Sequence, residues 1–316
     1  MTLVADKIIE KEDKVEMRGR ILFTGSGGFL GTYFRHFTQL ERDRIIYGSS
    51  SNLKVPEGEP CDWRQFSSCY TNIEEIVGSE KIDVIVHAAS VIPKSFSDAT
   101  CDREFRLNTA MIQSLGEFAC AHGVKRFVYI SSFGSMEDTQ CLDIKDYYTL
   151  SKVTGELFCR LFSSKGVSSI SLRISAPYGE FQGARTVMRV FIERALAGDS
   201  IEVFGTGARE QNFTYAGDVA KAIELALDNT ASGTYEIVGE KSYSMLELAQ
   251  LIKQLTGSTS EIVVGNQPDP QEHYRPHYRY DRALKDFGYR PTFDLPNGLQ
   301  RFISWLKGNP VDGALK

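Results

Sequence analysis

Short apolar runs alternate with stretches of helical period along the first 175 residues. The runs are Arg20–Thr24, Arg44–Tyr47, Ile82–His87, Arg126–Ser131 and Val167–Arg173. Between them, Phe29 to about Leu40, Phe105 to His122 and Tyr147 to Ser164 repeat apolar residues at helical spacing. Strands that read as unbroken apolar runs are buried on both faces. Their alternation with helices predicts an α/β fold with a doubly wound parallel sheet. After residue 175 the pattern loosens: Val187–Ala197, Asp218–Asp228, Ser244–Leu255 and Gly298–Leu306 predict helices, and Thr234–Val238 one more strand. Ser244 with Glu247 three residues later has the spacing of a capping box.

The turn after the first strand reads Thr24-Gly25-Ser26-Gly27-Gly28-Phe29-Leu30-Gly31. Of its glycines, one permits a tight turn, one lets backbone N–H groups approach a pyrophosphate, and one allows close helix–sheet packing. The helix that follows presents unpaired N–H groups and a favourable dipole to an anion. Strand, glycine turn and helix together predict dinucleotide binding on a Rossmann-type domain over 20–175, to which 213–240 returns. A polar extension over 1–19 precedes it. A smaller mixed α/β domain, from 176–212 and 241–316, is expected to bind substrate.

The end of the second strand commonly selects the cofactor, an acidic residue there holding the ribose 2′-hydroxyl. Tyr47-Gly48-Ser49-Ser50-Ser51-Asn52-Leu53-Lys54 has no carboxylate. Ser49, Ser50 and Lys54 suit a 2′-phosphate, so NADP is favoured over NAD. Tyr148 and Lys152, four residues apart, share a helix face. A nearby ammonium favours phenolate and lowers the tyrosine pKa, and it can hydrogen-bond the nicotinamide ribose. Tyr147 has Ser151 at the same spacing, which selects Tyr148. Ser132, at a strand end facing the ligand crevice of such a sheet, is placed to hydrogen-bond the reacting oxygen.

With these residues the chain resembles the extended short-chain dehydrogenase/reductase superfamily, in its nucleotide-sugar epimerase/dehydratase branch, from about Arg20 to Leu306. The markers are the glycine turn, Val86-His-Ala-Ala-Ser90, Asn108, Ser131-Ser132, Tyr148-x-x-x-Lys152, Leu172-Arg173, Pro177-Tyr178-Gly179 and Phe213-Thr-Tyr215 with Asp218-Val219. The resemblance implies that Ser132, Tyr148 and Lys152 are catalytic. It implies that Gly25, Gly27, Gly28, Phe29, Leu30, Gly31, Ala88, Ala89, Ser90 and Ile130 border the cofactor. Asp62 would hold the adenine amine, and Asn108 would support the active-site helix. Arg209 and Arg275 would face the phosphates of the substrate, with Gln211 in the same loop and Val187, Met188 and Phe191 near base and sugar. It also implies a homodimer through the helices bearing Tyr148 and Asn108.

The departures narrow the chemistry. Ala176 stands where many relatives carry Asn, and Gln211 where many carry Arg. The segment from Ser132 to Tyr148 is short beside that of many relatives. The 4,6-dehydratases place an Asp-Glu pair directly after the catalytic Ser/Thr, whereas Ser132 is followed by Phe133-Gly134-Ser135, with Glu137 and Asp138 too far along. Dehydration is disfavoured.

Composition adds exclusions. A net charge of −5 offers no broad attraction to nucleic acid or an anionic membrane. The six cysteines include no C-x-x-C pair, which fits free thiols in a reducing cytoplasm, and the five histidines lack ligand spacing, so no metal is expected. No apolar run approaches the ~20 residues of a membrane span. The leading reading is an NADPH-dependent reductase of a 4-keto sugar nucleotide with Tyr148 as general acid. A 4-epimerase with bound NAD, an enzyme of a non-sugar substrate and a non-catalytic dinucleotide sensor are the alternatives.

Overall fold

A computed structural model describes residues 19–50, 61–93, 102–133, 144 and 146–308. Residues 1–18, Lys54, Glu137 and Asp138 lie outside them. The elements in chain order begin with β1 (Arg20–Thr24), α1 (Phe29–Phe37), β2 (Ile45–Ser49), β3 (Asp62–Gln65), α2 (Ile73–Val77), β4 (Ile82–His87) and α3 (Asp102–Ala121). β5 (Arg126–Ser132), α4 (Tyr147–Ser164), β6 (Ser168–Ile174), β7 (Pro177–Tyr178), α5 (Val187–Ala197), β8 (Ile201–Val203), β9 (Glu210–Asn212) and β10 (Thr214–Tyr215) follow. The chain continues through α6 (Ala216–Leu227), β11 (Gly233–Ile237), β12 (Ser242–Ser244), α7 (Met245–Thr256), β13 (Ile262–Val264), α8 (Asp281–Phe287) and α9 (Leu295–Leu306).

Seven strands form one parallel sheet in the order β11-β6-β5-β4-β1-β2-β3. The apolar runs divide by alternation. Ile21, Phe23, Val84, Val86, Val128 and Ile130 join one core, whereas Leu22, Ile85, Phe127 and Tyr129 join the core on the other face. α1 and α6 cover the first face; α3 and α4 pack together over the second. The strand order reverses beside β1, between β2 and β4, and such a switch point opens a crevice at the carboxyl ends of the strands.

Local signals account for most boundaries. Thr186 caps α5 through the Arg189 N–H, and Gly198, at φ 77°, ends it. The Ser244–Glu247 capping box starts α7. α1 stops at Phe37, three residues before Leu40, because Thr38 is extended and its hydroxyl donates to Glu224 at 2.9 Å. β3 was not legible as a strand: its Asp-Trp-Arg-Gln carries no apolar run, being at a partly solvated sheet edge. Beyond the sheet, three two-stranded ribbons (β7 with β10, β9 with β12, β8 with β13) organise the looser half.

Candidate active site

The glycine turn is built around contacts that no side chain could share. Gly25 has φ +74°, and a Cβ there would lie 2.5 Å from the Ala89 nitrogen. A Cβ on Gly31 would lie 2.3 Å from the Gly25 carbonyl oxygen. The Gly28 N–H closes the turn on the Gly25 carbonyl at 3.0 Å, and the Ser26 hydroxyl ties it to the Gly48 carbonyl of β2 at 2.8 Å. α1 begins without a side-chain cap and without an acidic residue in its first turn. Its first N–H groups border a cavity of about 1030 Å³ and suit an anion. A dinucleotide pyrophosphate fits this cradle.

The same cavity brings together Gly25, Gly27, Gly28, Phe29, Leu30, Gly31, Ser49, Ser50, Ala88, Ala89, Ser90, Ile130, Ser132, Tyr148, Lys152, Val187, Met188 and Gln211. At the end of β2, Ser49 is buried and Ser50 is exposed. Asp146 caps α4 by accepting from the Thr149 N–H at 2.6 Å, and it too lines the wall, two residues before Tyr148.

Ser132, from the end of β5, and Ser90, from beyond β4, lie beside the Tyr148 phenol. Burial is the largest influence and pushes it up to about 12. The two serine hydroxyls work against that rise, while Asp146 adds to it. Desolvation outweighs the favourable partners, so the phenol keeps its proton near neutral pH. Lys152 donates to the Ile130 carbonyl at 3.1 Å and lies 5.3 Å from the Tyr129 ring centroid and 5.7 Å from that of Tyr148. Burial pulls its amine down to about 7, and Glu156 opposes that fall.

α4 can seat so closely on β5 because Gly155 faces Tyr129. His87, at the end of β4, stacks on Tyr129 and shares a 2.8 Å hydrogen bond with Thr24. Burial, helped by Lys152, holds its pKa down to about 3, so it is neutral. Asn108 accepts from the Val91 N–H at 2.7 Å and donates to the Val91 carbonyl and the Ser151 hydroxyl, each at 3.1 Å. It thus joins the segment carrying Ser90 to the helix carrying Tyr148, without lining the cavity.

Three other anticipated residues lie elsewhere. Asp62 opens β3 at its amino end, where it pairs with Arg20 at 2.5 Å and Arg64 at 2.8 Å, and Glu80 joins the same cluster. It does not reach the cavity, so it is not placed to hold an adenine there. Arg209 donates to Asp269 at 2.8 Å and Gln271 at 3.3 Å. Arg275 binds the Glu272 and Tyr274 carbonyls at 2.9 Å and stands 3.6 Å from Glu210. Neither arginine lines the cavity, whereas Gln182, Gln211 and Gln271 do. Gln182 and Gln271 carry no sequence signal. Glu156 had one, since it repeats the Tyr148–Lys152 spacing by a further four residues.

Ala176, also on the cavity wall, has φ 27°, in the left-handed region that asparagine tolerates better than alanine. Among the described residues no group of histidine, cysteine or carboxylate side chains could hold a metal ion, and no helix is long and apolar enough to cross a membrane.

Residues 21–238 match the NAD dependent epimerase/dehydratase family. A putative UDP-glucose 4-epimerase of Methanocaldococcus jannaschii is 27% identical over 92% of this chain and 99% of its own. The dTDP-4-dehydro-6-deoxyglucose reductase of Escherichia coli is 25% identical over 91% and 97%. Among solved structures, UDP-glucose 4-epimerase of Thermotoga maritima with UDP-glucose has TM-score 0.80 at 22% identity, over 92% of this chain and 99% of that one. The Thermus thermophilus UDP-glucose 4-epimerase complex with NAD has TM-score 0.77 at 21% identity, over 92% and 99%.

Proposed function

The chain belongs to the NAD dependent epimerase/dehydratase family of enzymes, and from that premise we propose that it reduces a 4-keto nucleotide sugar, with Tyr148 giving the proton. The observation that carries this reading is the Tyr148 phenol, gathered with Ser132, Ser90 and Lys152 in the cavity that also holds the glycine cradle. A nicotinamide dinucleotide bound there supplies the hydride. Gly25, Gly28 and the start of α1 would hold its pyrophosphate, and Lys152 its nicotinamide ribose. Ser132 and Ser90 orient the phenol toward a carbonyl oxygen. A phenol that keeps its proton is the form able to donate it as that oxygen becomes an alkoxide. The missing carboxylate at the end of β2 favours NADPH as the reductant.

Epimerisation at C4 with retained NAD is the second reading, favoured by the names of the Methanocaldococcus and Thermotoga proteins. The same three residues serve it. The test is to offer the purified protein UDP-, dTDP-, GDP- and CDP-linked 4-keto hexoses and follow loss of reduced nicotinamide absorbance. Consumption of stoichiometric NADPH is expected, and Tyr148→Phe should lose turnover by about 10²–10⁴-fold while still binding cofactor. NAD retained through purification, with interconversion of 4-hydroxy sugars and no added cofactor, would replace reduction by epimerisation. Activity that survives in Tyr148→Phe sinks both.

A further inference from the structure

Behind the reactive pair, α4 carries a third polar residue on the same face. Tyr148, Lys152 and Glu156 follow one another at intervals of four, one helical turn each. Glu156 is 4% exposed, and it forms no contact ion pair with Lys152. Its Oε1 accepts from the Ser131 hydroxyl and from Arg173 Nε, and its Oε2 from Arg173 Nη2, all at 2.6 Å. Ser131 and Arg173 are partners in the β5–β6 register, so both reach the carboxylate from one face of the sheet. Lys152 instead donates to the carbonyl of Ile130, the neighbour of Ser131. Three consecutive residues at the end of β5 therefore each face one residue of the ladder: Ile130 accepts from Lys152, Ser131 donates to Glu156, and Ser132 lies beside Tyr148.

A buried ammonium with no anion nearby reverts toward the neutral amine. We propose that Glu156, locked by Arg173 and Ser131, is a positioning residue: a fixed counter-charge one turn from Lys152 that leaves the ammonium's protons for Ile130, the cofactor ribose and the neighbourhood of the phenol. This inference rests on the Tyr148–Lys152 reading above. The groups around Lys152 single out Glu156. Tyr129 from β5 has a pKa well above the ordinary phenol value, because of burial, and His87 from β4 is neutral. Arg173 reaches Glu156 from β6. Asp146 and Arg103 stand on the cavity wall, the former as the cap of α4. The influence that raises the Lys152 amine, against the burial that lowers it to about 7, is Glu156. Were Glu156 to swing onto Lys152, it would occupy the protons that the cofactor and the strand carbonyl need. Arg173 and Ser131 prevent that by filling both of its oxygens.

The experiment is competitive labelling of Lys152 with acetic anhydride from about pH 5 to about pH 11, read by peptide mass spectrometry on the full-length protein. Only the neutral amine reacts, so the midpoint reports its protonation without any substrate. Glu156→Gln should lower the midpoint by about 1 unit, a tenfold change in the protonation equilibrium, and Glu156→Asp should keep it near the wild-type value. Because Glu156→Gln strands Arg173 as a buried cation that itself lowers the Lys152 midpoint, Glu156→Gln/Arg173→Met is made alongside, and a smaller fall in the same direction is expected of it. A midpoint unmoved in the folded double variant overturns the proposal. So does faster labelling at every pH around an unchanged midpoint, which is the mark of loosened packing alone. If no nucleotide sugar turns over, the functional reading fails, whereas the labelling still decides the role of Glu156. With a substrate in hand, the alkaline limb of kcat should move down in step while the sugar KM holds.

Discussion

The Tyr129 hydroxyl occupies the space that a side chain at position 155 would need: a Cβ built on Gly155 would lie 2.4 Å from that oxygen. α4 owes its closeness to the sheet to this one absent methyl. Gly155→Ala gains about 0.5–1 kcal/mol of helix preference but must push α4 away from β5, at about 1–3 kcal/mol. The expected result is a lower melting temperature and at least a tenfold loss of kcat, because Lys152 and Tyr148 move with the helix. A fully active Gly155→Ala enzyme would show that α4 has room to spare.

Gly25→Ala tests the cradle. Its φ of +74° disfavours any side chain, and the added carbon would collide with the backbone at Ala88 and Ala89. Dinucleotide affinity, measured by fluorescence quenching or calorimetry, should fall by at least a hundredfold, with a modest loss of stability. Retained affinity would place the cofactor elsewhere.

Acid should weaken the fold through His87. Its pKa drops from 6.5 to about 3 on folding, mainly through burial. Between those values the unfolded chain binds a proton that the folded chain refuses, so stability is full above 6.5 and falls as pH decreases toward 3. At about pH 4.5 the loss from this group is about 2–3 kcal/mol. Denaturant unfolding at about pH 7 and about pH 4.5 should show a smaller acid loss in His87→Asn than in the wild type. Equal losses would mean that His87 does not resist its proton.

Asn108→Ala removes the brace between the Ser90–Val91 segment and α4. It strands the Val91 N–H and carbonyl, which costs about 1–3 kcal/mol if they stay buried. Turnover should drop more than cofactor affinity, since Ser90 and Tyr148 lose their common support. Unchanged kcat would assign Asn108 to stability alone.

Much of this site could be read in the sequence because its parts are local. A glycine turn between strand and helix, and two residues four apart on a helix, need nothing beyond neighbouring chain. The runs of β1, β4 and β5 were legible for the same reason: burial on both faces leaves mostly apolar positions, with polar residues chiefly toward the strand ends. The failures have a different physical origin. Asp62 was assigned the adenine amine by family resemblance alone; it opens β3, an edge strand without an apolar run, and pairs there with Arg20 and Arg64. Arg209 looked free for phosphate because its partner Asp269 lies sixty residues away, paired by folding alone. The proton of the Tyr148 phenol is governed chiefly by burial, which no spacing reveals.

The ladder of contacts between β5 and α4 also bears on how such a protein changes over generations. Ile130, Ser131 and Ser132 meet Lys152, Glu156 and Tyr148 across a packed strand–helix surface, so the spacing of the reactive groups is set by that surface. The register of the reactive groups therefore does not depend on how many residues separate Ser132 from Tyr148 in sequence, and a lineage can lengthen or shorten that interval without disassembling the chemistry.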